Sequence, residues 1–379
     1  MNFDVSKRVL VIAQSARMLV QMAVDSGFEA IAIDCFADVD TRELAGLAFK
    51  VDSLALADLK PILLKLQRDF GLMAVVYGSG FECFIDSLVY LEQHWTVIGN
   101  SSSLFKQFQA KPSLFQTLHQ LSISYPEIRF AAPDNLTVKW LIKPMQGEGG
   151  QGIRFYSEVE SISPSMYWQR YCAGQSYSAL FLSSADSVQI IGFNRQLIVA
   201  DSEDYFKFAG LIGQIQLPLA IRELIEQWLK KIHSVYPLKG LGSLDFMLEN
   251  GQCYLLEINA RVPASAQLYG KQIFKKHIQA CLGSLDKTLP LPLTSSAYRV
   301  IYAKREICIS DRVFWPKWVV DRPESGAIIS KGQAICSIIA SGKNSRQVAL
   351  ILIRRLRFME NLLKNRSLKS CNTKPALIN

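Results

Sequence analysis

Through the first hundred residues, short apolar blocks alternate with stretches whose apolar positions recur at helical spacing. Residues 9–13 and 30–33 read as buried strands, joined by a helix over about 15–26 that Gly27 stops. Asp34 ends the second strand. Strands at 74–77 and 96–98 repeat the pattern, with helical segments near 58–70 and 84–93. Strands alternating with helices predict a parallel sheet covered on both faces, and this first unit ends near Asn100.

The pattern then changes. Residues 101–121 are helical and Pro126 marks a turn. After Pro133 the chain reads as antiparallel strands at 139–143, 153–156, 167–171, 177–182 and 188–193. A helix follows at 219–235, then a hairpin with arms at 243–248 and 254–260. A last region, about 298–379, mixes short strands with turns such as 323–326 and ends in a helix from about Ser345. No internal repeat is evident.

Composition narrows the class. A chain of 379 residues predicts two to four packed domains, and 49% hydrophobic with 20% charged residues is ordinary for a folded soluble protein. The polar opening has no signal-peptide pattern, and apolar runs such as 348–353 are far shorter than the ~20 residues that cross a bilayer. A cytoplasmic protein is expected. The eight cysteines lie far apart and the four histidines form no cluster, so reduced thiols are expected rather than zinc. From Lys343 onward nine Lys/Arg face one acid, Glu360, so that segment carries +8 of the net +9. Such a basic end is a solvated helix face or a contact for acidic partners; no aromatic-rich basic stripe supports a specific nucleic-acid site.

Candidate chemistry begins with a negative. The first strand leads into Gln14-Ser15-Ala16-Arg17, with no glycine-rich turn for a dinucleotide. Gly78-Ser79-Gly80-Phe81-Glu82, after the strand at 74–77, is the loop best suited to hold part of a substrate, a plain turn being the alternative. Lys139-Trp140-Leu141-Ile142-Lys143-Pro144 is followed by Gly147-Glu148-Gly149-Gly150-Gln151-Gly152 and another strand. Glycines let backbone N–H groups approach an anion, and a lysine one strand away supplies charge. The lysine precedes the glycines and no Gly-Lys-Ser/Thr occurs, so this is not a Walker-type loop. It reads as a hairpin closing over phosphates or as a flexible hairpin tip.

The second constellation is Asp245, Glu257 and Asn259. Alternation puts Glu257 and Asn259 on one face of a strand, with Leu256 and Ile258 on the other. Asp245 stands opposite Glu257 only if the loop centred on Gly251 holds an odd number of residues, as Asn250-Gly251-Gln252 would. Two carboxylates and an amide oxygen suit magnesium bridging phosphate oxygens, and Arg261, on the same face, could clamp a phosphate or carboxylate. An ordinary polar surface hairpin is the alternative.

Taken in order, the lysine and glycine hairpin, a hinge at 169–174, and Asp…Glu-x-Asn-x-Arg resemble ATP-grasp enzymes over about residues 111–261. More narrowly, residues 13–41, reading AQSARMLVQMAVDSGFEAIAIDCFADVDT, and the closing 301–342 resemble ATP-grasp proteins associated with tetrahydromethanopterin-linked one-carbon metabolism in methylotrophs. The fold so implied is an α/β parallel-sheet domain (1–100) followed by an α+β ATP-grasp of two antiparallel-sheet lobes (101–172 and 173–297). A small C-terminal subdomain with a basic helix (298–379) completes it.

The resemblance implies ATP and Mg2+ as cofactors. Lys143 and Lys111 would contact the nucleotide, Lys106 being the rival of Lys111. Gly149, Gly150 and Gly152 would cover the phosphates, and Gln169, Arg170 and Tyr171 would form the adenine hinge. Asp245, Glu257 and Asn259 would hold the metal, and Arg261 would stand near the transferred phosphate. The acid usual before the first lysine is Ala110 here, the hinge lacks its usual glutamate, and only Gln175 could replace the ribose acid. Ala260 replaces a common proline. Asn194-Arg195-Gln196, read as a turn, either faces an acceptor or is structural.

The implied activity is a carboxylate–amine ligase, related to ligases that make methanofuran-type cofactors by forming amide bonds. Expected partners are a small-molecule carboxylate and an amine, with no specific nucleic acid and no membrane span; a homodimer is an assembly such a chain allows. Other phosphoryl chemistry on the same fold, or nucleotide sensing without turnover, are the alternatives.

Overall fold

The computed structural model describes residues 7–134, 137–147, 149–157, 165–200, 205–285, 292 and 294–366. A five-stranded parallel sheet comes first, with β1 (Arg8–Ala13), β2 (Glu29–Asp34), β3 (Leu47–Lys50), β4 (Ala74–Tyr77) and β5 (Thr96–Ile98) in the order β3-β2-β1-β4-β5. Its helices are α1 (Arg17–Asp25), α2 (Val39–Leu44), α3 (Leu56–Phe70) and α4 (Ile85–His94). β1 shows why its sequence is apolar after Arg8. Val9 and Val11 pack with α1 through Leu19 and Val20, while Leu10 and Ile12 pack with α3 and α4 through Leu59, Leu63 and Leu88.

Two elements of this first unit had no sequence signal. α2 is six mostly polar residues, and β3 is a half-exposed edge strand with no alternating pattern. The single helix expected at 101–121 is two, α5 (Ser102–Gln109) and α6 (Lys111–Gln120), broken at Ala110. Pro112 is disfavoured in a helix interior, and it occupies the first turn of the second helix, where its missing N–H costs nothing.

Next, β6 (Ile128–Arg129), β7 (Trp140–Pro144), β8 (Arg154–Phe155) and β9 (Met166–Arg170) form a four-stranded antiparallel sheet in the order β6-β9-β7-β8. β10 (Gln175–Ser183), β11 (Val188–Val199), β12 (Lys207–Ile212), helix α7 (Leu219–Val235), β13 (Gly240–Glu249), β14 (Gln252–Asn259) and helix α8 (Ile273–Cys281) follow. Then come β15 (Ser295–Tyr302), β16 (Ile307–Cys308), β17 (Val319–Val320), β18 (Ile328–Ile329), β19 (Ala334–Gly342) and helix α9 (Ser345–Arg366). β15, β17 and β19 extend the sheet of β10–β14 into eight strands, in the order β14-β13-β10-β11-β12-β15-β19-β17, and β16 pairs with β18.

The turn expected at Asn194-Arg195-Gln196 is instead the middle of β11. Asn194 is fully buried, donating through Nδ2 to Ser178 Oγ at 3.2 Å and accepting from Tyr269 Oη at 2.8 Å. A satisfied polar pair inside the core imitates a turn in the sequence. Among the described residues Cys172, Cys253, Cys281 and Cys336 are thiols, but Cys308 is disulfide-bonded, a departure that spacing along the chain could not reveal. No helix among the described residues is long and apolar enough to cross a membrane.

The two sequence segments at the ends of the chain meet. Asp40 accepts from the backbone N–H groups of Asp321 and Arg322 at 2.8 and 2.9 Å, and Val39 N–H donates to the Arg322 carbonyl at 2.9 Å. Arg42 pairs with Glu324 and Arg322 with Glu43. The loop before α2 is thereby fixed against the last third of the chain.

Candidate nucleotide-binding site

The β13–β14 hairpin reaches the expected pairing by a different route. Its loop is the two-residue turn Asn250-Gly251, both at positive φ (49° and 82°), with Glu249 opposite Gln252. Such a turn alone would place Asp245 and Glu257 on opposite faces. A β-bulge at Leu256 shifts the register by one residue, so Phe246 faces Leu255 while Asp245 faces Glu257 and Ser243 faces Asn259. The odd loop expected from the sequence is therefore absent. The bulge also carries Leu256 onto the wall shared with Glu257, so the expectation that it pairs with Ile258 on the far face fails.

One cavity of about 460 Å³ collects most of the nominated residues. Lys143, Gly149, Gly150, Gln169, Tyr171, Asp245, Glu257, Asn259 and Arg261 line it. Lys111, Gly152 and Arg170 do not. Lys111 begins α6, with its charge felt at the Tyr167 phenol, and its rival Lys106 is exposed on α5. Arg170 turns to Glu249, at 3.1 Å, and lies over the Tyr254 ring, so it ties the hinge to the hairpin. Gln175 is exposed, and its Nε2 donates to the Ser176 carbonyl at 3.2 Å. Glu148 lies outside the described residues.

At the polar end Asn259 Nδ2 donates to Asp245 Oδ2 at 3.2 Å and to Ser243 Oγ at 3.3 Å, leaving its Oδ1 as an acceptor toward the cavity. Burial and the facing Glu257 push the Asp245 carboxyl up to about 7, opposed by a hydrogen bond from Gln196 and the charge of Arg261. Burial lowers the Lys143 ammonium below its ordinary value, and Glu257 and Asp245 oppose that shift. Lys143 Nζ also donates to Gln169 Oε1 at 3.2 Å. The lysine and the carboxylates thus share one electrostatic site. Among the described residues no three His, Cys, Asp or Glu side chains form a complete metal cage. Two carboxylates crowded together with one amide oxygen are a partial oxygen set, the kind Mg2+ completes with phosphate oxygens and water.

The glycine hairpin closes down on the start of β12. Phe208 N–H donates to the Gly149 carbonyl at 2.9 Å, and a Cβ on Gly150 would lie 2.1 Å from the Phe206 carbonyl oxygen. Gly149, Gly150 and Gly152 all have positive φ. Beneath this flap Leu141, Ile153, Tyr171, Phe206, Met247 and Leu256 make an apolar wall that a flat heteroaromatic base could occupy. Residues 108–265, which carry all of this, match the ATP-grasp domain family.

This stretch is an ATP-grasp domain. Solved structures agree at the level of fold. N5-carboxyaminoimidazole synthetase from Staphylococcus aureus, complexed with ADP, superposes with a TM-score of 0.68 at 14% identity, over 92% of this chain and 96% of that one. An L-amino acid ligase from Bacillus licheniformis gives 0.70 at 13% identity, over 93% and 97%. The biotin carboxylase domain of Hydrogenobacter thermophilus 2-oxoglutarate carboxylase, in complex with MgADP and bicarbonate, gives 0.71 at 16%, over 93% and 89%. By sequence, an uncharacterized protein of Methanocaldococcus jannaschii is 25% identical over 260 residues, 64% of this chain; the chain spans 63% of that relative.

Of the loop Gly78-Ser79-Gly80-Phe81-Glu82 named in the sequence, Gly78 and Ser79 line the cavity, whereas Arg17, Asp38, Ser265 and Asp321 were not singled out as site residues. Glu82 pairs with Arg261 through Nε at 2.6 Å, reaching across from the loop after β4. Arg17, Asp38, Ser265 and Asp321 line the end of the cavity away from the hinge. Asp38 and Asp321 lie inside the two terminal segments singled out in the sequence, which is the one signal that could have found them.

Proposed function

We propose that the protein is an ATP- and Mg2+-dependent ligase that activates a substrate carboxylate as an acyl phosphate for capture by an amine. One observation carries this reading: Asp245, Glu257 and Asn259 share a face and line one cavity with Lys143 and Arg261, beneath a glycine flap. Asp245, Glu257 and Asn259 would hold magnesium, which when bound supplies neutralisation of phosphate charge. Lys143 and Arg261 hold the triphosphate, with Gln169 and Tyr171 beside the base. The flap on Phe206–Phe208 keeps water from the reacting atoms.

A carboxylate oxygen bonds to the γ-phosphorus as the bridging P–O bond breaks and ADP leaves. The amine nitrogen then bonds to the acyl carbon, phosphate leaves, and the nitrogen gives up a proton. Positioning and charge suffice, and no side-chain nucleophile is needed. The place proposed in the cell is the cytoplasm. A role in making one-carbon cofactors of the methanopterin or methanofuran kind belongs to the same proposal and rests on residues 13–41 and 301–342.

Hydroxylamine trapping tests it. The protein with MgATP and a panel of carboxylates should form a hydroxamate along with ADP, and Asp245→Ala should form neither. ADP without hydroxamate would point to other phosphoryl chemistry. Nucleotide binding without ADP release would point to a sensor.

A further inference from the structure

The cavity does not stop at the phosphate-facing residues. It continues to Gln14, Ser15, Gly78 and Ser79, at the carboxyl ends of β1 and β4. In the order β3-β2-β1-β4-β5 these are the two strands between which the connections change direction, where an open parallel sheet leaves a crevice. The charges around this far end do not balance. Arg17 is committed: its Nε donates to Asp321 Oδ1 at 2.7 Å and its Nη2 to Gln267 Oε1 at 3.1 Å. Asp34 accepts from the N–H groups of Ala16, Phe36 and Ala37, and Asp40 from those of Asp321 and Arg322.

Asp38 has no such employment. It precedes α2 but makes no capping hydrogen bond, and no hydrogen bond or ion pair reaches its carboxylate among the described residues. Its side chain lines the cavity, and with Arg17 engaged by Asp321 and Gln267 this carboxyl group has no ion-pair partner among the described residues. Burial, then Asp321, Asp34 and Asp40, pushes the Asp38 carboxyl up to about 8, as expected of a carboxylate without its counter-ion. Independently, Ser265, which also lines the cavity, is 1% exposed, and its Oγ has no hydrogen-bond partner. A buried hydroxyl and a half-buried carboxylate, neither with a hydrogen-bond partner among the described residues and both lining one cavity, are what a cationic hydrogen-bond donor would satisfy.

We propose that this end of the cavity receives the acceptor amine as its ammonium form, with the Asp38 carboxylate as counter-charge and Ser265 Oγ as a hydrogen-bond acceptor, and that Asp38 takes up the proton the ammonium must lose before its nitrogen attacks the acyl carbon. The assignment rests on the ligase reading above and gives it a substrate class: a primary amine that carries no anion next to the nitrogen. Asp321 and Arg17 frame the pocket and fix the loop that presents Asp38.

Thermal-shift titrations of the full-length protein with saturating MgADP test this. The probes are propylamine, benzylamine and putrescine, with propanol, benzyl alcohol and propionate as neutral and anionic matches. At least one amine should raise the melting temperature while its neutral match does not. Asp38→Asn should weaken that amine about tenfold, and Asp38→Glu should recover part of the loss. The shift given by MgADP alone should be the same in all three proteins, which shows that the variants fold. Equal amine binding by wild type and Asp38→Asn, equal binding of alcohol and amine, or no amine binding at all would each overturn the assignment. Absence of a MgADP shift in the wild type would instead count against the nucleotide reading, and an Asp38-dependent amine shift would still stand.

Discussion

Arg261 Nε donates to Glu82 Oε1 at 2.6 Å, which joins the end of the metal-face hairpin to the loop after β4. The second Glu82 oxygen accepts from the Gly80 N–H at 2.8 Å, so the acid is itself held by its own loop. With side chains only 12% and 16% exposed, the pair is largely shielded from water.

Removing Glu82 should therefore do more than remove a surface charge. Glu82→Ala removes one partner of a largely buried ion pair and should cost about 3 kcal/mol of stability, the usual scale for such a loss. Glu82→Gln keeps an acceptor and should cost less. If Glu82 positions Arg261 for chemistry, Glu82→Gln lowers kcat for ADP formation about tenfold, or ~1.4 kcal/mol, with KM for ATP nearly unchanged. Steady-state kinetics beside a denaturation curve separate the two effects, and a rise in KM alone would assign Glu82 a structural role.

The two central glycines of the flap should respond differently to alanine. Gly150 has positive φ, and its Cβ would meet the Phe206 carbonyl at 2.1 Å, a backbone atom that cannot swing aside. Gly149 also has positive φ, but nothing lies within 4 Å of its Cβ, so its cost is the ~1 kcal/mol of a left-handed residue. Gly150→Ala should raise the Kd for MgADP about tenfold or more, and Gly149→Ala only a few-fold. Calorimetric titration of both variants reads this directly. Equal effects would mean that flap closure on β12 is not part of nucleotide binding.

Asp245 gives a pH dependence with a defined sign. Its carboxyl titrates near 7 in the folded protein against 3.8 when free, so the folded state prefers the protonated form. Its contribution to stability is full below pH 3.8 and is lost as pH rises through about 7. Asp38, pushed up to about 8, adds a slope of the same sign, so Asp245→Asn should flatten the nucleotide-free profile only in part. A metal needs the ionised carboxylate, so MgADP should raise the melting temperature more at pH 7.5 than at pH 5. Equal stabilisation at both pH values would count against Asp245 as a ligand.

How far the sequence carried these conclusions depends on what each residue had to signal. β1, β2 and β4 are largely buried runs, and α7 has strong periodicity, so their positions were legible. α2 and β3 were not, because six mostly polar residues and a half-exposed edge strand carry no burial pattern. The face shared by Asp245 and Glu257 was anticipated through a loop-length rule, yet it is produced by the bulge at Leu256, and a bulge leaves no periodic trace. Arg170 illustrates the converse. A charged residue at the expected hinge position turned to Glu249, because an ion pair between remote strands cannot be seen along the chain. Asp38 is known by what it lacks, a partner, and only three-dimensional packing can display that.

His277 supplies a second pH test, of opposite sign and far from the chemistry. Its ring is 1% exposed, Nδ1 accepts from Leu241 N–H at 2.9 Å, and Nε2 lies 3.2 Å from the Ile98 carbonyl oxygen. These partners require the neutral ring protonated on Nε2, since a second proton on Nδ1 would point at an N–H donor. Burial accordingly lowers its pKa to about 4, below the ordinary 6.5. The neutral ring's contribution is full above pH 6.5 and is lost as pH falls through about 4. A group depressed this far is worth up to roughly 3 kcal/mol at neutral pH. Because the ring bridges β5 and β13, acid should loosen the parallel sheet from the hairpin sheet. His277→Gln should be less stable than wild type at pH 7.5, but the difference should shrink steadily between pH 6.5 and 4. Urea midpoints measured across that range make the comparison, and parallel curves for the two proteins would mean that the folded chain does not hold this ring neutral.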